Sequence, residues 1–172
     1  MAKGQTPSQT VGPYFAYGLT AEQYGYPHTQ IATGTIAGEG ERIAITGRII
    51  DGKGEAVSDA MIEVWLPEAG FGRVGTGTAK DLSFTFNTVK PPRRSEFEAP
   101  SITAIVFMRG LLSHLFTRIY FEDEAEANAS DNVLNSVPQP RRTTLIAKRE
   151  GPGQYRFDIH LQGEHETVFF DL

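Results

Sequence analysis

The stretch Ser101-Ile-Thr-Ala-Ile-Val-Phe-Met-Arg109 alternates between two kinds of residue. Ile102, Ala104, Val106 and Met108 are apolar, whereas Ser101, Thr103, Ile105, Phe107 and Arg109 make a mixed face that opens on two hydroxyls and closes on an arginine. An extended chain sends successive side chains to opposite sides, so this pattern predicts a β-strand with one face on a core. The same pattern wound into a helix would scatter its apolar positions around the axis. The chain is therefore held to a sheet-based fold.

Similar short segments recur. Arg42–Ile50, Ala60–Leu66, the run in which Leu82, Phe84 and Phe86 alternate with Ser83, Thr85 and Asn87, and SHLFTRIYFE all read as strands, and RTTLIAKRE, QYRFDIHLQ and ETVFFDL complete the set. Asp51-Gly52-Lys53-Gly54 is a strong turn signal between the first two. The 18 glycines and 10 prolines are scattered, as many short strands joined by turns require. DEAEANASDNVLNSV carries the one convincing helix signal, acidic at its start and rich in alanine. The expected fold class is all-β, an antiparallel β-sandwich of Greek-key type with one short helix. Residues 1–40 lack periodic apolar positions and read as an irregular N-terminal arm suited to a partner surface, and residues 41–172 read as the sandwich domain.

Composition narrows the function classes. A chain of 172 residues with a net charge of −5 has no dominant basic patch, which argues against nucleic acid and anionic membranes as partners. The absence of cysteine excludes disulfides, thiolate nucleophiles and cysteine-bound zinc. No apolar run approaches the roughly 18 residues of a membrane span. MAKGQTPSQT has no apolar segment of the secretory kind, so a cytoplasmic protein is expected. Four histidines, His28, His114, His160 and His165, stand without metal-ligand spacing, and His160 with Asp158 reads as a sheet-surface pair. Nucleophile-elbow, P-loop and dinucleotide fingerprints are absent, and GTGTAKD reads as a loop. The residues alone outline no self-contained catalytic site.

TPSQTVGPYF, DGKGEAVSDAMIEVW, FTFNTVKP, RGLLSHLFTRIYFEDEAEANASDNVLNS, RRTTLIAKRE and YRFDIHLQGEHETVFFDL, in that order, resemble the protocatechuate 3,4-dioxygenase alpha-chain family. The resemblance implies an intradiol-dioxygenase, transthyretin-like sandwich that works beside a homologous beta chain. It also implies ring cleavage of 3,4-dihydroxybenzoate (protocatechuate) by O2. Intradiol dioxygenases hold ferric iron with two tyrosines and two histidines, the latter an H-x-H on a strand. Phenolate is a hard anionic donor suited to a ferric ion, and both imidazoles of an H-x-H project from one face of a strand. Counted from Tyr120-Phe121, Ser101 and Thr103 fall at the two histidine positions. Pro91-Pro92-Arg93-Arg94 stands where a Pro-Gly-x-Tyr run is expected, and the shortened loop after Trp65 offers no tyrosine. The resemblance therefore implies that Fe(III) is bound by the beta chain and not by this one.

By the same resemblance the substrate-binding contribution of this chain falls on Thr10, Gly12, Pro13 and Tyr14 of the arm and on Arg109. A planar, permanently charged guanidinium suits a carboxylate-bearing aromatic substrate. Taken alone, however, an arginine that closes a strand reads as a solvated cap or a surface ion pair, and Gly-Pro-Tyr as an ordinary turn. Two other readings stay open: a β-sandwich binding or assembly module without enzymatic activity, and an alpha-like subunit serving another catechol.

Overall fold

Gly12 and residues 14–171 are described by a computed structural model, with backbone alone for Tyr14, Ala16 and Tyr17. Among these residues the strands are β1 (Arg42–Gly47), β2 (Ile49–Ile50), β3 (Met61–Leu66), β4 (Gly70–Gly75), β5 (Phe84–Val89), β6 (Ser101–Phe107), β7 (Leu115–Phe121), β8 (Ile146–Gly151), β9 (Gln154–Arg156) and β10 (Ile159–His160). The helices are α1 (Tyr14–Leu19), α2 (Ala125–Ser130) and α3 (Asn132–Ser136), supplemented by 3-10 turns. None of the described helices is long and apolar enough to cross a membrane.

Hydrogen bonding runs in the order β4-β3-β6-β7-β8-β9-β1-β5, with β10 paired to β2 apart from it. The chain is an all-β sandwich whose core lies between the β4-β3-β6-β7 and β9-β1-β5 arms. Ile45, Ile62, Phe86, Ile102, Ala104 and Val106 have no exposed surface and Ile119 scarcely any, and all join one cluster. The apolar alternation of β6 is thus realised, with Ser101, Thr103 and Ile105 turned to the other, half-buried face. Gly47 marks a close approach between layers: a Cβ there would stand 1.8 Å from the Phe157 carbonyl oxygen. No other side chain fits that position without displacing backbone.

Several local expectations are corrected. The pairing is not purely antiparallel, because β7–β8, β1–β9 and β2–β10 run parallel. GFGRVG, part of the stretch read as a loop after Trp65, forms β4 along β3 in register from Met61–Gly75 to Leu66–Gly70. The expected single helix is two short helices broken at Asp131, whose extended backbone ends α2 and whose side chain caps α3 at Leu134 N–H. Residues 142–145, expected to begin a strand, belong to a 3-10 turn over Gln139–Leu145, and the described part of the C-terminal run is tied by a Phe116–Phe170 bridge and by the Thr167 N–H bond to the His160 carbonyl.

The arm has order of its own. Thr20, Ala21, Ala32 and Ile36 are buried, and Gln23 closes two hydrogen bonds with the backbone of Gly75, each 2.7 Å long. Arg73 N–H donates to the Thr33 carbonyl at 3.0 Å and Asn87 N–H to that of Gly34 at 2.7 Å. Residues 33–34 therefore stitch β4 to β5.

Candidate functional site

Register decides which side chains meet on the outer face of the β3-β6-β7 sheet. Thr103 lies opposite Trp65 of β3 on one side and Arg118 of β7 on the other, and Ser101 lies opposite Tyr120. Directly paired positions share a face with Cβ atoms about 4.5–5.5 Å apart. Trp65, Thr103 and Arg118 thus form one row across three strands. Arg94, from the connection between β5 and β6, completes a cavity of about 220 Å³ with them, Ser101 and Pro67. Ser101, Thr103 and Arg94, singled out separately in the sequence, come together in one cavity.

Each wall is fixed from outside the cavity. Trp65 is 44% exposed and stacks on Phe71, with centroids 4.6 Å apart and planes at 13°. Arg118 lies beside the Tyr120 hydroxyl, which donates to Asp131 at 2.9 Å. Burial, and after it the Asp131 carboxylate, hold the Tyr120 phenol far above its usual range, with Arg118 a partial offset. Tyr120 is therefore a neutral strut and not a phenolate. Arg94 meets Glu98 at 3.4 Å, both side chains about half exposed.

These donors do not fit a ferric ion. Neutral Ser101 and Thr103 hydroxyls are weak ligands, and two guanidinium cations repel a trivalent metal, which needs hard anionic donors. Among the described residues no group of three or more His, Asp or Glu side chains stands close enough to hold a metal.

Arg109 lies elsewhere, just past the end of β6 and before Gly110, whose φ of 88° turns the chain. Its guanidinium ion-pairs with Asp59 and remains 66% exposed, leaving most of its donor fork without a partner among the described residues. Gly12 is exposed, and no other described residue comes within 4 Å of a Cβ built on it. Tyr14 opens α1. Thr10 and Pro13 lie outside the described residues. His160 and Asp158 fall at one end of the second sheet, where Asp158 accepts from Arg156 Nε at 2.9 Å and from Arg48 N–H at 2.8 Å.

Sequence reading overlooked Arg118 and Asp59. Arg118 was detectable as the polar member between Thr117 and Ile119, since a period of two sends it to the outer face. Asp59 carried no signal, because only the fold brings it to Arg109.

A curated alpha chain of protocatechuate 3,4-dioxygenase from Burkholderia cepacia is 50% identical over 98% of this chain and 98% of its own length. The alpha chain from Pseudomonas putida is 43% identical over 98% and 96%. Those alignments extend over 192 and 195 positions against 172 residues here, so both relatives carry internal stretches that this chain lacks. The Burkholderia cepacia beta chain is 29% identical over 74% of this chain and 67% of its own length. Among solved structures, an intradiol ring-cleavage dioxygenase from Tetranychus urticae aligns over 96% of this chain and 98% of its own, with a TM-score of 0.63 and 14% identity. No family model matches the sequence.

Proposed function

This chain belongs to the protocatechuate 3,4-dioxygenase alpha-chain family, and on that basis we propose how it divides the work with a beta chain. The assembly opens 3,4-dihydroxybenzoate between its two hydroxylated carbons with O2, giving 3-carboxy-cis,cis-muconate. Ferric iron resides on the beta chain. This chain supplies structure and one wall of the substrate pocket in the cytoplasm.

The observation that carries this division is the donor set around Ser101 and Thr103, in which hydroxyls and the guanidiniums of Arg94 and Arg118 stand together. A chain so equipped contributes to iron chemistry through a neighbour. Arg109 is the contribution best supported: Asp59 steadies one side of the guanidinium while the rest is open to an anion. In a pocket shared with the beta chain it would orient the substrate carboxylate. The arm residues Thr10, Gly12, Pro13 and Tyr14 are assigned to the same shared wall, and the buried residues Thr20, Ala21, Ala32 and Ile36 anchor the stretch that follows them to this chain's own sandwich. The stretches present in the relatives but missing here favour some change in which catechols are accepted.

Expression of this chain alone and together with its beta partner tests the division. The pair should contain iron and cleave protocatechuate, and the single chain should do neither. Ring cleavage by the single chain would refute it.

A further inference from the structure

We propose that the outer-face cavity bounded by Trp65, Arg94, Ser101, Thr103 and Arg118 binds a small aromatic carboxylate. It is separate from the shared pocket assigned to Arg109, which lies past the opposite end of β6.

Arg118 is half-buried, forms no ion pair among the described residues and lies beside the neutral hydroxyl of Tyr120. The Ser101 and Thr103 hydroxyls line the same cavity without a hydrogen bond to any described protein group. A guanidinium and two hydroxyls left open toward one space form a donor set for an oxyanion. Arg94 adds a second cation, only partly offset by a Glu98 carboxylate that is itself half exposed.

The remaining wall selects the rest of the ligand. Trp65 offers a broad π-face, flattened against the sheet by its stack on Phe71. A volume of about 220 Å³ falls below the roughly 300–1,000 Å³ of sites for drug-sized molecules, which suits a single ring. A planar ring against Trp65 with its carboxylate toward Arg118 and Arg94 satisfies every open group at once. The cations that exclude a metal from this face recruit the anion. This binding rests on the cavity's residues and does not depend on the division of labour with the beta chain.

The test uses the assembly copurified with its beta chain and grown with 5-fluorotryptophan. Trp65 is the sole tryptophan of this chain, so its fluorine resonance is the one lost in Trp65→Phe. Benzoate should shift that resonance saturably, and acetate should not. Arg94→Gln and Arg118→Gln should each weaken benzoate binding about tenfold or more, the value of a charge-assisted hydrogen bond. Because Arg94 is surface-held, its variant folds even if Arg118→Gln does not. No saturable shift, an equal shift by acetate, or unchanged affinity in Arg94→Gln would overturn the proposal. Ring-cleavage activity measured on the same samples reports separately on the division of labour.

Discussion

Tyr120 donates its buried hydroxyl to Asp131 at 2.9 Å, and this bond joins β7 to the start of α3. Asp131 is 1% exposed and accepts two further bonds, from Leu134 N–H at 2.7 Å and from Ala99 N–H at 2.8 Å. One carboxylate therefore caps a helix, holds the entrance to β6 and fixes the strut behind Arg118.

Asp131→Ala leaves three buried donors without an acceptor. A lost cap costs about 1 kcal/mol and an unsatisfied buried donor about 1–3. A loss of about 3 kcal/mol or more is expected in urea unfolding, against about 1 kcal/mol for Tyr120→Phe, which leaves the cap in place.

Lys90 forms a second tie, from the end of β5 to the turn after β7, with Nζ 2.7 Å from Glu124 and 3.0 Å from Asp123. Burial is the strongest single influence on Lys90 and works to lower its pKa, but the bonds to Glu124 and Asp123 outweigh it and raise the ammonium above its usual value. Burial likewise pushes Asp123 up, and its bonds from Lys90 and the Tyr155 hydroxyl bring it below the ordinary carboxylate value. Lys90→Met should cost about 2–3 kcal/mol, less than a fully buried pair because both carboxylates are partly solvated.

The two shifts set a pH window. A depressed Asp123 stabilises fully above its unfolded value of 3.8 and loses that contribution as pH falls through the lower folded value. A raised Lys90 stabilises fully below its unfolded value of 10.5 and loses that contribution only as pH rises through its higher folded value. Thermal unfolding should thus be insensitive to both groups around neutrality and weaken below about pH 4. In Lys90→Met the acid dependence should flatten; an unaltered acid limb would show that the pair is not its source.

In the assembled enzyme, Arg109→Ala should raise KM for protocatechuate about tenfold, roughly 1.4 kcal/mol, with iron content unchanged. This is below the 2–5 kcal/mol of a buried charge partner because the side chain is 66% exposed. Asp59→Asn should produce a smaller rise, since it only steadies the guanidinium. Equal kinetics in Arg109→Ala and the parent would remove Arg109 from the pocket.

Gly12→Ala separates the arm's role in the chain from its role in the assembly. Among the described residues nothing crowds a Cβ at Gly12, so stability of the single chain should stay within about 0.5 kcal/mol. A fall in kcat/KM of the pair would then come from the shared wall; no change in either measurement would take Gly12 out of it.

What the sequence disclosed follows the physics of each segment. The alternation of Ser101–Phe107 is a period that burial enforces, so β6 and its inward face were readable directly. Gly70–Gly75 has no such pattern, and its extension depends on β3 and on the arm: a Cβ at Gly72 would stand 2.7 Å from the Thr33 carbonyl. The helix break at Asp131 depends on partners in β7 and before β6, which no local signal announces. The outer-face cavity was half legible. Ser101, Thr103 and Arg94 stood out by their departure from the family's ligands, whereas Arg118 and Trp65 join them only through register.

The central claim is that this chain has given up its metal-binding side chains and serves a site that a homologous subunit carries. Anomalous diffraction at the iron edge, from crystals of the copurified pair, tests it most directly. The account predicts one iron peak per pair, on the beta chain, and none beside Ser101 and Thr103. An iron peak at that strand of this chain would contradict it.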